Sequence, residues 1–422
     1  MSGQPSLARR LGTTDAVVIG LGSMIGAGVF AAFTPAAAAA GSGLLVGLVI
    51  AAAVAFCNAT SSAQLAAQYP TSGGTYVYGR ERLGHWPGFL AGWGFVVGKT
   101  ASAAAMALTF AAYVAPAGWE RPVAIAAVVL LAGVNYRGVT RTAKLTRIIV
   151  ACVLAVLGLF VAAAWLPGTA DPARILGTDL LDHGWYGILQ SAGLLFFAFA
   201  GYARIATMGE EVRNPGRSIP RAITIALAAT VLVYAVIAVT VLAVLGPGGV
   251  AGSPAPLAAA VAAGPWPWAE PVVRAGAAMA SLGALLALVA GLGRTSLAMA
   301  REDDLPRFLA AVHPVFRVPH RAEAALAVVI CVILMFADLR GAIGFSSFGV
   351  LVYYLIANLA AFTQTAGHRQ YPRVLQVLGA VACVLLAATL PWQAVVGGSV
   401  MFAAGALYRI ARIKLRTPNR PS

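Results

Sequence analysis

Charge is what this sequence lacks. Of its 422 residues 10% are charged and 60% hydrophobic, and the mean hydropathy is +0.84. Soluble domains carry roughly 25% charge, so a water-soluble class is excluded and a polytopic membrane protein is left. Acidic residues are scarcer still, 14 against 29 cations, for a net charge of +15. Those cations sit singly or in small groups between apolar runs, which excludes the clustered basic face of a nucleic-acid binder. Lysine is nearly missing, with Lys99, Lys144 and Lys414 alone. The four cysteines, Cys57, Cys152, Cys331 and Cys383, all fall in apolar segments, where a thiol acts as a small hydrophobe rather than half of a disulfide or a metal site. The five histidines (His85, His183, His313, His320, His368) lie in or beside loops without metal-ligand spacing. No nucleotide-binding loop and no pore-lining charge ring is visible, so metal, cofactor, enzyme, ATP-driven and channel chemistry are not expected.

What the sequence does have is apolar runs long enough to span a bilayer, each needing ~20 residues. About twelve can be drawn: 14–37, 42–68, 87–115, 121–136, 145–166, 185–208, 220–245, 270–298, 322–338, 342–365, 373–390 and 392–408. The first starts just after Arg9-Arg10 and is long enough to be retained rather than cleaved. With the N-terminus inside, 23 of the 29 cations fall on the cytoplasmic side, including Arg9, Arg10, Arg141, Arg416 and Arg420. Four (Arg121, Arg174, Arg274, Arg340) fall outside, and Lys99 and Arg204 lie within segments. This asymmetry supports both the segment count and a cell-membrane protein with cytoplasmic termini.

Inside the first run lies GLGSMIGAGVF (Gly20 to Phe30), with glycine at 20, 22, 26 and 28. Each costs a helix ~1 kcal/mol against alanine. Non-helical backbone at membrane depth is tolerated only where protein or a cavity surrounds it, so a broken helix is expected here. The sixth run has a small-residue centre, Ala198, Ala200 and Gly201, between Phe197, Phe199 and Tyr202, and is a candidate for a second break. A spacing of five segments fits two inverted five-helix repeats, residues 14–166 and 185–365, with two extra helices at 373–408.

GLGSMIGAGVF, the run from Ser61 to Gly84, FFAFAGYARIATMGEEVRNPGRSIPRAI (Phe196 to Ile223) and AMAREDDLPRFLAAVHPVFRVPHRA (Ala298 to Ala322) together resemble the amino acid–polyamine–organocation superfamily of permeases. The resemblance implies the leucine-transporter fold, all-α, with discontinuous helices 1 and 6. It implies an amino acid carried across the cell membrane by alternating access, as proton-coupled symport or, alternatively, exchange; a non-transporting amino acid sensor on the same fold is a third option. Membrane lipid, an amino acid and a proton are the only partners implied.

A helix broken at the midplane presents N–H groups at one end and C=O groups at the other, so it can hold a zwitterion without charged side chains. Carried over by motif, the amides of Gly26, Ala27 and Gly28 would receive the carboxylate, and the carbonyls of Ile25, Phe197 and Ala200 the ammonium. Ala198 and Gly201 complete the expected substrate site, and Phe197 stands where relatives carry an aromatic that closes over substrate. Close helix packing is the competing explanation for the glycines.

Lys99 lies twelve residues past Pro87, ~18 Å into a core ~30 Å thick, where an ionisable group is a functional candidate. Some relatives carry a lysine on the fifth helix in place of a sodium ion, and the matching position here is Val153. Lys99 therefore stands as a titrating amine for coupling, as an inner gate, or as a lysine snorkelling to the interface. Where many relatives place a carboxylate after the aromatic at 202, this chain has Ala203, then Arg204. Arg204, Glu210 and Glu211 are expected at a cytoplasmic gate. The expected pocket lining (Ser102, Ala103, Ala107, Phe197, Ala198) is small and apolar, and the lack of a buried carboxylate argues against a cationic substrate.

Overall fold

The computed structural model describes residues 11–71, 73–137, 143–176 and 180–416, and 81% of the chain is helical. Arg9, Arg10, Arg141 and Arg420, and the side chain of Arg416, lie outside the described residues. α1 (Thr13–Met24), α2 (Gly28–Ala31) and α3 (Phe33–Ala40) form an interrupted first crossing, and α4 (Leu44–Gln68) returns. A short α5 (Thr75–Leu83) precedes α6 (His85–Val114), α7 (Glu120–Tyr136) and α8 (Ala143–Trp165). α9 (Ala173–Leu176) leads to α10 (Gly184–Phe199), a 3-10 turn over Ala200–Tyr202, and α11 (Ala203–Ala206). Then follow α12 (Pro215–Gly252), α13 (Pro256–Ala262), α14 (Ala269–Arg301), α15 (His320–Phe336), α16 (Leu339–Phe362), α17 (Arg373–Thr389) and α18 (Trp392–Arg416).

Among the described residues nine spans are long and apolar enough to cross a bilayer, if α3 and α4 count as one. α7, α15 and α17, each of 17 residues, complete the twelve crossings expected from hydropathy. Large apolar side chains stand exposed around the rim, among them Leu130, Leu232, Phe336, Val381 and Val400. Such a surface is stable against lipid and not against water. The helices that the sequence did not foresee are the short ones. α5 is punctuated by Gly74 (φ +55°) and Gly84 (φ +100°), conformations that favour glycine.

Interior helices pack around α6, chiefly α14 and α16, while α1 lies against α12 and α8, and α10 against α4. A polar seam joins α4 to α16 and α17: Asn358 Nδ2 donates to Asn58 Oδ1 (2.6 Å), Ser61 to Asn358 Oδ1 (2.7 Å), and the Cys383 thiol to Asn58 Oδ1 (3.4 Å). Cys383 is therefore more than an apolar filler. In a bilayer such bonds hold helices together where the hydrophobic effect cannot. Leu11, at the start of α1, bonds the backbone of Glu211 and Arg213, while Arg409 and Arg412 of α18 reach Asp304 and Leu305 past the end of α14. Arg121, Arg174, Arg274 and Arg340 sit on α7, α9, α14 and α16 near the opposite end, so one face holds both ends of the described chain and most of the described cations.

Candidate functional site

The first crossing breaks where the glycines thin the backbone. α1 stops at Met24, the Ile25 amide makes the last bond, to Leu21 O (2.7 Å), and helix resumes at Gly28. Among the described residues no backbone bond uses the Gly26 or Ala27 amide. The sixth crossing tightens into the 3-10 turn at Ala200–Tyr202. The sixth crossing is thus tightened rather than interrupted, and its turn lies against the break in the first. A Cβ on Gly28 would stand 2.8 Å from Ala198 Cα, and one on Gly201 would stand 2.3 Å from the Ser23 carbonyl oxygen. Gly26 is held from the other side, its Cβ position 2.6 Å from Ala284 Cβ of α14. Gly20 and Gly22 remain helical and serve close packing, against Ile205 of α11 and against Val150 and Thr146 of α8.

Tyr234 of α12, which sequence reasoning missed, spans the two breaks. Its hydroxyl lies 2.5 Å from the Met24 carbonyl and 3.1 Å from that of Ala198. Its one signal in the sequence is that it is the single aromatic residue of α12. Lys99 of α6 is buried, and its Nζ donates to the Ala200 carbonyl at 3.4 Å. Tyr354 of α16 approaches the same oxygen at 3.5 Å.

A cavity of about 810 Å³ runs from Ser23, Lys99, Ala200 and Gly201 down to Leu11, Thr71, Glu210 and Glu211 at the face where the described chain begins and ends. Its deeper wall is apolar, with Phe95, Met106, Ala284, Ala287 and Leu288. Its charged groups are Lys99, Arg204 and Arg294 against Glu210 and Glu211. Toward the opposite face the breaks are sealed. Tyr113 donates to Phe30 O (3.2 Å), its ring meets Phe30 edge-on at 5.6 Å, and Phe33 and Phe199 pack on Tyr234.

The structure thus brings Lys99, Ala200, Gly201, Arg204, Glu210 and Glu211 to one cavity. Ile25, Gly26, Ala27, Gly28, Phe197 and Ala198 are buried at the breaks, and none lines the cavity. Ser102, Ala103 and Ala107 do not line it either: Ser102 bonds Ser346 of α16 (2.5 Å), and the two alanines join a core with α7, α14 and α15. Arg204 reaches the Thr207 hydroxyl (3.5 Å) and lines the same cavity as Glu210 and Glu211. The lack of a buried carboxylate is corrected. Glu323 of α15 and Asp304 are both buried, but outside the cavity wall.

Asp304 ties that wall to the edge of the bundle. Its carboxylate accepts from the Tyr76 hydroxyl (2.8 Å) and pairs with Arg409 (2.5 Å). The Arg409 guanidinium lies over the rings of Phe89 (4.7 Å) and Trp86 (5.1 Å). Arg80 donates to Tyr76 (2.7 Å) and pairs with Glu302 (3.0 Å). Burial, helped by the Asp304 charge, pushes the Tyr76 phenol well above its ordinary range, so it remains a donor.

Two facing helix breaks over a cavity that enters from one side is a geometry shared by many carriers, and comparison with known proteins narrows it. The amino acid permease profile matches residues 11–409. The chain belongs to the amino acid permease family. A transporter of Mycobacterium tuberculosis is 60% identical over 97% of this chain and 93% of its own length. The branched-chain amino acid permease of Bacillus subtilis is 24% identical over 94% of this chain and 91% of its own. The methylthioribose transporter of the same organism is 27% identical over 85% and 80%. The resemblance seen in the motifs is therefore shown, and the chain is a multi-pass membrane protein of a transporter family.

Proposed function

We propose that this permease is a secondary transporter that moves an amino acid across the cell membrane by alternating access, coupled to protons in symport. The face bearing the termini is cytoplasmic, and the described conformation is open to the inside. Residues 14–166 and 185–365 act as the two inverted repeats, with 373–408 added to them. The amides of Gly26, Ala27 and Gly28 take the substrate carboxylate, the carbonyls of Ile25, Phe197 and Ala200 take its ammonium, and Ala198 and Gly201 let the backbones approach. Phe197 closes over the substrate, Lys99 serves coupling at the inner end of the site, and Arg204, Glu210 and Glu211 form the cytoplasmic gate.

The observation that carries this is the pair of breaks held face to face by Gly28 against Ala198, at the top of a cavity sealed on its far side. Broken helices point partial charges at a midplane ligand without the expense of buried ions. The apolar deeper wall and the cationic Lys99 favour a neutral side chain. Thermal stabilisation by each of the twenty amino acids identifies the substrate, because a ligand that binds only the folded state raises its stability. Uptake into proteoliposomes then follows, driven by an imposed pH gradient with no amino acid inside. A requirement for internal substrate would make the protein an exchanger, and stabilisation without any flux would make it a sensor. If Gly26→Leu and Phe197→Ala each left binding and uptake intact, the site assignment would be wrong.

A further inference from the structure

Among the described residues the cavity's only buried amine sits where a ligand's amine would go. Lys99 Nζ lies 3.4 Å from the Ala200 carbonyl oxygen, at the 3-10 turn of the sixth crossing. Tyr354 shares that oxygen at 3.5 Å. Among the described residues Lys99 has no carboxylate partner. The carboxylates on the cavity wall, Glu210 and Glu211, lie beyond the end of α11, and the other charges on that wall, Arg204 and Arg294, are cations. An ammonium at membrane depth seeks the nearest acceptor, and here that is a carbonyl where the α-helix tightens to 3-10. At 3.4 Å the bond is long, and so is readily given up.

We propose that the Lys99 ammonium is a tethered competitor of the substrate's own ammonium: it occupies the Ala200 carbonyl in the empty carrier and must withdraw for substrate to bind. This rests on the amino acid reading of the site given above. It gives Lys99 a role beyond coupling or gating, that of a built-in surrogate which neutralises the carbonyl end while no substrate is present. Affinity is then set by a difference between two ammonium groups for one oxygen. The tether gives the lysine a high effective concentration at that oxygen.

The test uses the full-length protein in detergent, with binding of the twenty amino acids and of isopentylamine, an amine lacking the carboxylate. Lys99→Met keeps the length and removes the charge, Lys99→Arg keeps the charge, and Lys99→Gln stands in if Lys99→Met does not fold. Competition predicts that Lys99→Met binds the stabilising amino acid tenfold or more tightly than the native protein, and gains isopentylamine binding, while Lys99→Arg does neither. A purely structural lysine would lower the melting temperature on removal without tightening any ligand. Unchanged or weaker binding in the folded Lys99→Met or Lys99→Gln protein overturns the competition. If no amino acid binds any form, the transport reading falls. In that case isopentylamine binding confined to the uncharged variants would still uphold the occupied carbonyl, and its absence would remove that too.

Discussion

Gly201 lies flat on the Ser23 peptide: a Cβ there would stand 2.3 Å from the Ser23 carbonyl oxygen, closer than any side chain can be accommodated. The same closeness recurs at Gly28, whose Cβ position is 2.8 Å from Ala198 Cα. In both cases the obstacle is backbone, which cannot rotate away. Gly201→Ala and Gly28→Ala should therefore each cost about 1–3 kcal/mol through overpacking, and should spread the two breaks. A lowered melting temperature together with lost amino acid binding is the expected result. Gly22→Ala, which meets only the side chains of Val150 and Thr146, should be milder.

Tyr234→Phe keeps the ring on Phe199 and Phe33 and removes one hydroxyl, leaving the Met24 and Ala198 carbonyls without that donor. Losing a buried hydrogen bond in this way costs ~1–3 kcal/mol. The variant should fold, melt earlier and bind its amino acid more weakly, since the breaks are no longer held in register. Unaltered affinity in binding titrations would show that Tyr234 plays no part in the site.

Asp304 and Arg409 form a pair with side chains about nine-tenths buried. Removing one partner of a buried pair leaves an uncompensated charge, at ~3–5 kcal/mol. The double variant Asp304→Asn with Arg409→Gln should cost less than the two single variants added together, and a double-mutant cycle on melting temperature reads the coupling. The pH sign follows from Tyr76. Its folded-state value is raised, so its contribution is complete below the ordinary tyrosine value of ~10 and is lost as pH rises beyond it. Tyr76→Phe should flatten that alkaline limb.

Ala287 faces the cavity, whereas Phe30 is sealed behind Tyr113. In a background with the exposed Cys152 replaced, Ala287→Cys should react with a membrane-impermeant thiol reagent from the cytoplasmic side only, and substrate should slow it. Phe30→Cys should stay unlabelled in the inward-open form. Labelling of Ala287→Cys from outside alone would reverse the proposed orientation.

Much of this was legible in the sequence because membrane physics writes in long, uniform strokes. Twelve crossings follow from apolar length, and the break at Ile25–Ala27 follows from the glycines beside it. Two of those four glycines, Gly20 and Gly22, nonetheless stay helical, because glycine also lets helices approach and composition cannot tell the uses apart. The rotation of α6 was not readable. Phe95, Lys99 and Met106 turn to the cavity while Ser102 turns to Ser346, and which neighbour a stripe meets depends on helices far away in sequence. For the same reason the clamp of Tyr76, Asp304 and Arg409, drawn from three distant stretches, left no pattern to find.

A tyrosine hydroxyl has one proton to give, yet Tyr234 has two carbonyls within reach, one on each broken helix. It can satisfy them together only while Met24 and Ala198 stay side by side. Any rearrangement that slides one broken helix past the other obliges the hydroxyl to follow one and desert the other. Under the alternating access proposed above, Tyr234 would be the pawl between the two crossings.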